Sequence, residues 1–154
     1  MLRRLLHTDG GIAGLLLRLT LAVVMFPHGA QKALGWFGGQ GFAPTIAFFT
    51  KSGIPLVLAL LVIVTEFLGP LGLALGLLTR VVAFGLLCEM LVAIVTVHWP
   101  NGFFMNWTGS QPGEGFEYHL LVIGMALTVL IIGAGIWSLD RALAGRTPRP
   151  RAHQ

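Results

Sequence analysis

Charged side chains are scarce in this sequence, since only 10% of its 154 residues are Asp, Glu, Lys or Arg, whereas an ordinary soluble domain has about 25%. Hydrophobic residues make up 55%, and the mean hydropathy is +0.82. Such a chain has too few charges to cover its surface in water, which excludes a typical soluble protein. The lipid bilayer is the solvent that fits, because helices satisfy their backbone groups internally there.

Cysteine is also scarce, since Cys88 is the only one in the sequence. A single cysteine excludes an intrachain disulfide, a CxxC redox pair and any zinc or iron–sulfur site built on cysteines. Electron transfer would therefore need a bound cofactor or the thiols of a partner. Nucleic acid is not expected as a partner, because the ten basic residues are scattered and form no stripe that could track a phosphate backbone.

Four apolar runs are each long enough to cross about 30 Å of hydrocarbon at about 1.5 Å per helical residue. They cover residues 12–34, 54–78, 81–99 and 118–139. The sequence thus predicts an all-α integral membrane protein, built as a four-transmembrane-helix bundle in residues 12–141. Residues 1–11 are expected to form a cytoplasmic N-terminus, and residues 142–154 a disordered basic cytoplasmic tail.

The distribution of basic residues predicts the orientation of the bundle. Only Lys32 and Lys51 fall on one side of the predicted membrane, and seven arginines fall on the other. These arginines are Arg3, Arg4, Arg80, Arg141, Arg146, Arg149 and Arg151. Since cytoplasmic segments carry the basic excess, we expect a multi-pass inner-membrane protein with both termini in the cytoplasm and two long loops outside.

Both outer loops are rich in aromatic residues. Residues 44–52 of the first loop begin with proline and are followed by glycine, an arrangement typical of a short helix. Trp36, Trp99 and Trp107 are amphipathic anchors of the kind found at headgroup depth. We therefore predict that both loops lie against the membrane and that the first contains a short interfacial helix.

Arg18, Glu66 and Glu89 lie inside predicted spans, where each charged side chain costs about 2–3 kcal/mol or more. They are expected to face the bundle interior and to pair, with the long Arg18 side chain reaching the glutamates. Two interpretations remain open, namely a structural ion pair and a proton-handling site. Two carboxylates for one arginine leave an excess negative charge unless one glutamate is protonated or Lys32 contributes.

Three histidines are predicted to lie at a common depth near the outer ends of the spans. They are His28, His98 and His119. At 100° per residue, His28 shares a stripe on the first helix with Arg18, Met25 and Lys32. Facing histidines can ligate haem or a metal, carry protons, or bond to loops or to a quinone-like head group. Haem remains an alternative although the usual ligand spacing is absent, and no metal site is predicted.

Several short motifs carry a family pattern. They are Pro-His-Gly-Ala-Gln-Lys at residues 27–32, Gly-Trp-Phe-Gly-Gly at 35–39, Glu66, His-Trp-Pro-Asn-Gly-Phe-Phe at 98–104 and Glu-Tyr-His at 117–119. Together they resemble the DoxX family of small bacterial membrane proteins, over residues 14–141. The resemblance implies a four-helix membrane fold. It also implies a link to quinone-dependent redox, since members are similar to subunits of quinone oxidoreductases or to anchors beside soluble partners.

These observations favour a subunit or anchor of a quinone-linked redox complex, with a polar site in the outward half of the bundle. Its cofactor-binding candidates are His28, Gln31, Lys32, His98, Asn101, Glu117 and His119, and its proton-handling candidates are Glu66, Glu89 and Arg18. Any catalysis would then belong to the assembled complex. Two alternatives stay open: a non-catalytic scaffold that docks a partner enzyme, and a small proton-coupled transporter, which would need a homo-oligomer.

Overall fold

The computed structural model describes residues 6–8 and 11–146, and within those residues the chain is helical and has no strand. The helices are α1 (Ile12–Leu34), α2 (Phe42–Lys51), α3 (Leu56–Leu75), α4 (Thr79–Ala93), α5 (Glu117–Ile132) and α6 (Leu139–Arg146). A 3-10 turn (Trp36–Gly38) follows α1. Beyond Ala93, α4 continues as a π-helical turn (Ile94–His98) and a 3-10 turn (Trp99–Asn101).

Helices α1, α3, α4 and α5 form a bundle in which successive members run in opposite directions. α1 packs most extensively on α3 and α4 on α5, and the α3–α4 and α1–α5 contacts close the ring. Its core is apolar, and Leu21, Leu73, Leu86 and Val122 are all fully buried there. Residues 35–55 and 99–116 lie at one end of the bundle, here termed the loop end. The turn at 76–78 and α6 lie at the opposite end, here termed the tail end.

Three of the predicted spans are confirmed as helices. α1 coincides with the predicted run, whereas α3 ends at Leu75 because Gly76 adopts the left-handed conformation, with φ 65°. Together α4 and its two turns give a continuous helical segment from Thr79 to Asn101. All three are long and apolar enough to cross a membrane. The short helix predicted in the first loop is also confirmed, as α2.

The fourth predicted run, 118–139, is wrong as a single helix. α5 has 16 residues, about 24 Å in length, which is shorter than the hydrocarbon core of about 30 Å. The chain leaves the helix because Gly133, Gly135 and Trp137 have φ values of 80°, 75° and 51°, which an α-helix does not allow.

The predicted tail also differs from the structure. Residues 142–146 belong to α6 and are helical, so this part of the expected disordered tail is wrong. The remaining tail, residues 147–154, lies outside the described residues, as do residues 1–5 and 9–10 of the predicted N-terminus.

α1 and α3 come into backbone contact at Gly29. A Cβ atom at this position would overlap the carbonyl group of Glu66 and would lie 2.5 Å from the Cα atom of Phe67. Only glycine lacks a Cβ atom, so only glycine permits so close an approach. The contact brings Glu66 of α3 directly beside α1.

The tail end is held together by Arg18, whose side chain is buried in the bundle. Its guanidinium group donates to five backbone carbonyl oxygens at the end of α3 and in the segment after α5. They belong to Leu73 (2.7 Å), Ala74 (2.6 Å), Ala134 (3.0 Å), Ile136 (3.4 Å) and Trp137 (2.7 Å). Carbonyls at helix ends lack intrahelical donors, and the planar guanidinium fork supplies several donors at once.

The expected pairing of Arg18 with Glu66 or Glu89 is therefore wrong. Its acceptors on α3 lie seven or eight residues beyond Glu66, which corresponds to about 11 Å along the helix. The physical reason is that carbonyls at a helix C-terminus carry partial negative charge and stabilise a cation as a carboxylate would.

Asp140 completes the tail end, although the sequence did not single it out. Its buried carboxylate accepts hydrogen bonds from the backbone N–H groups of Leu78 (2.8 Å) and Thr79 (2.9 Å). It thereby caps the start of α4 from another element of the chain. Its negative charge also attracts the Arg18 guanidinium electrostatically.

We expect Gly29→Ala to destabilise the protein, because the added Cβ would push α1 away from α3. The free energy of unfolding should fall by about 2 kcal/mol, the usual scale of overpacking, as measured by unfolding in mixed detergent micelles. Gly124→Ala is the matched control, since Gly124 is also helical and an added Cβ would have no neighbour within 4 Å. Equal stability of the two variants would contradict the backbone contact.

Arg18→Lys should lower the free energy of unfolding by about 2–3 kcal/mol, since an ammonium group cannot serve all the buried carbonyls that the guanidinium serves. The same detergent unfolding assay measures this effect. Arg141→Lys provides the control, because Arg141 lies exposed on α6. An Arg18 variant as stable as this control would refute the structural role assigned to Arg18.

Candidate functional site

Polar side chains from all four bundle helices meet near the loop end and form what is here termed the polar cluster. The cluster consists of His28, Lys32, Glu66, Glu89, His98, Tyr118 and His119. Most of its members were predicted site residues, so the fold brings together candidates that are far apart in the sequence. Tyr118 was not singled out, although it is the only tyrosine in the chain and lies in the Glu-Tyr-His motif.

The ammonium group of Lys32 forms an ion pair with the carboxylate of Glu66. The Glu66 side chain is 7% exposed and that of Lys32 is 26% exposed. The cation that pairs with Glu66 is therefore Lys32, whereas the sequence predicted Arg18. Removing either partner would leave an uncompensated charge in a region of low dielectric constant.

Glu89 of α4 lies beside Glu66, and the two carboxyl groups are within hydrogen-bonding distance. The Glu89 Oε2 atom is buried and has no hydrogen-bond partner among the described residues. An ionised carboxylate only accepts hydrogen bonds, so a bond between two carboxyl groups requires a proton on one of them. The sequence indicated more carboxyl groups in the membrane than nearby cations could balance. In the structure this excess lies where Glu66 and Glu89 meet.

A row of rings runs from His28 and Tyr118, which interact electrostatically with Glu66, towards the surface of the loop end. The ring centroids of His28 and Tyr118 are 6.1 Å apart, those of Tyr118 and His119 5.6 Å, and those of His119 and His98 4.0 Å. His119 is 6% exposed, and its Nδ1 atom has no partner within the described part of the chain. The three histidines do lie together, as their predicted common depth suggested.

The backbone of α4 widens between its two members of the cluster. Glu89 lies in the α-helical part, whereas His98 ends the π-helical turn, a feature that is frequent at functional sites. The Nδ1 atom of His98 is 2.8 Å from the carbonyl oxygen of Glu114 in the second loop. His98 is therefore the member of the cluster that connects it with this loop.

Asn101 and Glu117 were predicted to bind a cofactor, but in the structure they stabilise the second loop. The Asn101 amide donates to the carbonyl oxygen of Glu114 at 3.1 Å. The Glu117 carboxylate accepts from the backbone N–H of Met105 (2.9 Å) and from the indole N–H of Trp107 (3.3 Å). These contacts shape the loop that covers the histidine side of the polar cluster.

An open cleft of about 350 Å³ lies on the opposite side of the cluster, between the end of α1 and α2. Its lining consists of Gln31, Lys32, Gly38, Gly39, Gln40, Thr45, Phe48 and Phe49. The Gln31 amide donates to the carbonyl oxygen of Phe37 at 3.1 Å and so orders the loop at the rim. Because Lys32 lines the cleft and also pairs with Glu66, a molecule in the cleft would meet the exposed side of this ion pair.

The Lys32 ammonium group can donate hydrogen bonds to a ligand. The glutamates and histidines of the polar cluster can exchange protons. Within residues 6–8 and 11–146, no group of three or more His, Cys, Asp or Glu side chains has the arrangement of a metal site. Arg18 lies outside the cluster, at the tail end.

Curated proteins similar to this chain are described as membrane proteins or as an oxidoreductase. The chain is 33% identical to “Putative oxidoreductase CatD” of Bacillus subtilis, over 84% of this chain and 85% of that protein. It is 34% identical to an uncharacterized membrane protein of Mycobacterium tuberculosis, over 93% and 88% of the two chains. It is 32% identical to the inner membrane protein YqjF of Escherichia coli, over 71% and 79%.

No solved structure gives a significant match to this chain. The sequence model of the DoxX family, in contrast, matches residues 13–99, which is more than half of the chain and includes α1 to α4. This match and the relatives, each at least 32% identical, confirm the resemblance carried by the sequence motifs. The protein is a membrane protein that belongs to the DoxX family.

Proposed function

We propose that this protein is an inner-membrane subunit or anchor of a quinone-linked redox complex, and that a quinone head group binds in the cleft beside Lys32. One observation carries this proposal: a cleft with hydrogen-bonding side chains is lined by the partly buried Lys32, and Lys32 pairs with Glu66, beside which lies a second acid, Glu89. Pockets for small molecules usually combine apolar walls with a few polar groups of this kind.

The chemistry of the cleft suits the two oxygens of a quinone. Lys32 and Gln31 can each donate a hydrogen bond to a carbonyl oxygen, and Thr45 adds a hydroxyl group. Phe48 and Phe49 supply aromatic surface against which a flat ring can pack. The Glu66 and Glu89 carboxyl groups, behind Lys32, can take or supply the protons that accompany reduction and oxidation of the ring.

The relatives support the redox part of this proposal in general terms only. The Bacillus subtilis relative carries the word oxidoreductase in its name, and the Escherichia coli relative is named as an inner membrane protein. Since this chain has a single cysteine, electrons would have to pass between the quinone and a partner that holds its own redox centre. This requirement favours a subunit of a complex over a self-contained enzyme.

The proposed orientation places the loop end on the outer side of the membrane. Lys32 and Lys51 lie at that end, whereas Arg80 and Arg141 lie at the tail end, as the positive-inside rule requires for a cytoplasmic tail end. The exposed Trp36, Trp99 and Trp107 side chains would then reach the outer headgroup region. In this arrangement the cleft opens near the outer surface, where a lipid-soluble quinone can reach it.

Quinone binding can be tested with the full chain in lipid nanodiscs. We expect a short-chain benzoquinone or naphthoquinone to bind with micromolar affinity, measured by quenching of tryptophan fluorescence and by calorimetry. Thr45→Trp should weaken binding by about tenfold or more, equivalent to about 1.4 kcal/mol, because the indole would fill the cleft. Lys32→Met should weaken it as well, because the cationic donor is removed.

The matched control is Thr50→Trp, since Thr50 lies on the same helix but is exposed and does not line the cleft. Equal quinone affinity of the Thr45 and Thr50 variants would refute binding in the cleft. Absence of any quinone binding, together with stable co-purification of a redox enzyme, would favour the scaffold alternative. In that case Thr45→Trp, which fills the cleft without breaking the Lys32–Glu66 ion pair, should leave the activity of the assembled complex intact.

A further inference from the structure

The polar cluster holds one more acid than its fixed cation balances. Lys32 neutralises one carboxylate, yet Glu66 and Glu89 adjoin each other in the interior of the bundle. Two ionised carboxylates at hydrogen-bonding distance would repel each other strongly in a medium of low dielectric constant. Arg18 cannot compensate the second charge, because its donors are engaged at the tail end.

The titratable groups that face this acid pair come from every helix packed around it. α1 contributes His28 and Lys32, α5 contributes Tyr118, and α3 and α4 each contribute one of the two acids themselves. Lys32 is the only one of these groups that carries a fixed positive charge. One proton held between the two carboxyl groups would therefore make the set of Lys32, Glu66 and Glu89 electrically neutral.

Two buried atoms of the cluster have no hydrogen-bond partner among the described residues. They are Oε2 of Glu89 and Nδ1 of His119. Buried polar atoms in folded proteins are almost always satisfied, by protein or by ordered water. Each of these atoms, one on α4 and one on α5, therefore has capacity for a hydrogen bond to water or to a ligand.

The two sides of the acid pair differ in how a proton could reach them. On the cleft side, only the ammonium group of Lys32 lies between the cleft and Glu66. On the other side, Tyr118 interacts with Glu66 and is followed by His119 and His98, whose rings are in contact at 4.0 Å, and His98 reaches the second loop. Imidazole accepts a proton on one nitrogen while it releases another from the second, so a histidine pair suits proton passage.

We propose that Glu66 and Glu89 share a single proton in the folded protein, and that this proton exchanges with water at the loop end along the row of rings from Tyr118 through His119 to His98. The site is thus a proton-binding site with its own access route, separate from the cleft. It depends on the fold alone and holds whether or not a quinone binds. Where the proposed function also holds, the shared proton is the one that the quinone site can exchange.

Infrared spectroscopy of the full chain, purified free of quinone in nanodiscs, tests the shared proton. At pH 7 we expect one protonated carboxyl band that shifts in D₂O, although ordinary glutamates are ionised at this pH. The wild-type spectrum alone decides this half of the proposal, since absence of the band would overturn it. Failure of quinone binding in the titration above would leave the band unchanged, so the two proposals can fail separately.

Substitutions distinguish a shared proton from an unrelated protonated side chain. Glu89→Gln and Glu66→Gln should each abolish the band, because the remaining glutamate then forms a simple ion pair with Lys32. Lys32→Met should instead about double it, because both acids must then be neutral to stay buried. Glu114→Gln is the control, since Glu114 is an exposed loop residue and should leave the band intact. A band that survives both glutamate substitutions would refute the assignment.

The rate of deuterium exchange of the same band tests the access route. His119→Phe and His98→Phe should each slow exchange by about tenfold or more, whereas His7→Phe, outside the polar cluster, should not change it. His98 lies near the surface, so its variant serves if replacement of the buried His119 prevents folding. Exchange at the wild-type rate in a folded His98 variant would show that the proton takes another path and would overturn this part of the proposal.

Discussion

The partly buried ion pair between Lys32 and Glu66 is the interaction on which the loop end of the bundle depends. It joins α1 to α3 where Gly29 lets the two backbones touch, so its formation relies on a position that no other residue type can occupy without displacement. Breaking such a pair typically costs about 3–5 kcal/mol, because the remaining charge stays buried. The second acid and the row of rings are arranged around this fixed point.

The two ends of the bundle handle buried charge in different ways. At the tail end, Arg18 reaches five backbone carbonyls and Asp140 accepts two backbone N–H groups, so both are well supplied with partners. At the loop end, Glu89 and His119 each keep a buried atom without a partner in the described chain. The tail end also keeps two buried atoms without a partner in the described chain, Oγ1 of Thr79 and Nε of Arg80. The candidate site is therefore placed at the loop end by the ion pair, the second acid and the cleft, which the tail end lacks among the described residues.

Much of the fold follows from hydropathy, because long apolar runs without strong helix breakers form helices in a bilayer. The end of α5 did not follow from hydropathy, because the apolar run continues to Leu139. The signal that could have located it is the pair Gly133 and Gly135, since glycine readily adopts the positive φ values that end the helix. The cluster of histidines could be predicted from their common depth. The partners of Arg18 could not be predicted from the sequence. A guanidinium group donates to carboxylates and to free carbonyl oxygens alike, and only the packing of the helices decides which of them it meets.

The cleft and the histidines lie on different sides of the polar cluster. This separation matters for how protons and electrons would reach a quinone in the cleft. A quinone that is oxidised or reduced must exchange two protons and two electrons. The two glutamates behind Lys32, together with the histidines of the polar cluster, supply groups for the protons. For the electrons, a sequence with one cysteine offers no cysteine pair or cysteine-bound cluster of its own.

If the proposed function is correct, the bundle handles protons and holds the head group, while the electrons cross to a partner. The second loop contacts His98 at the end of the proton route and exposes Trp99 and Trp107. In that case it is the surface where a partner would have to dock to lie close to this route.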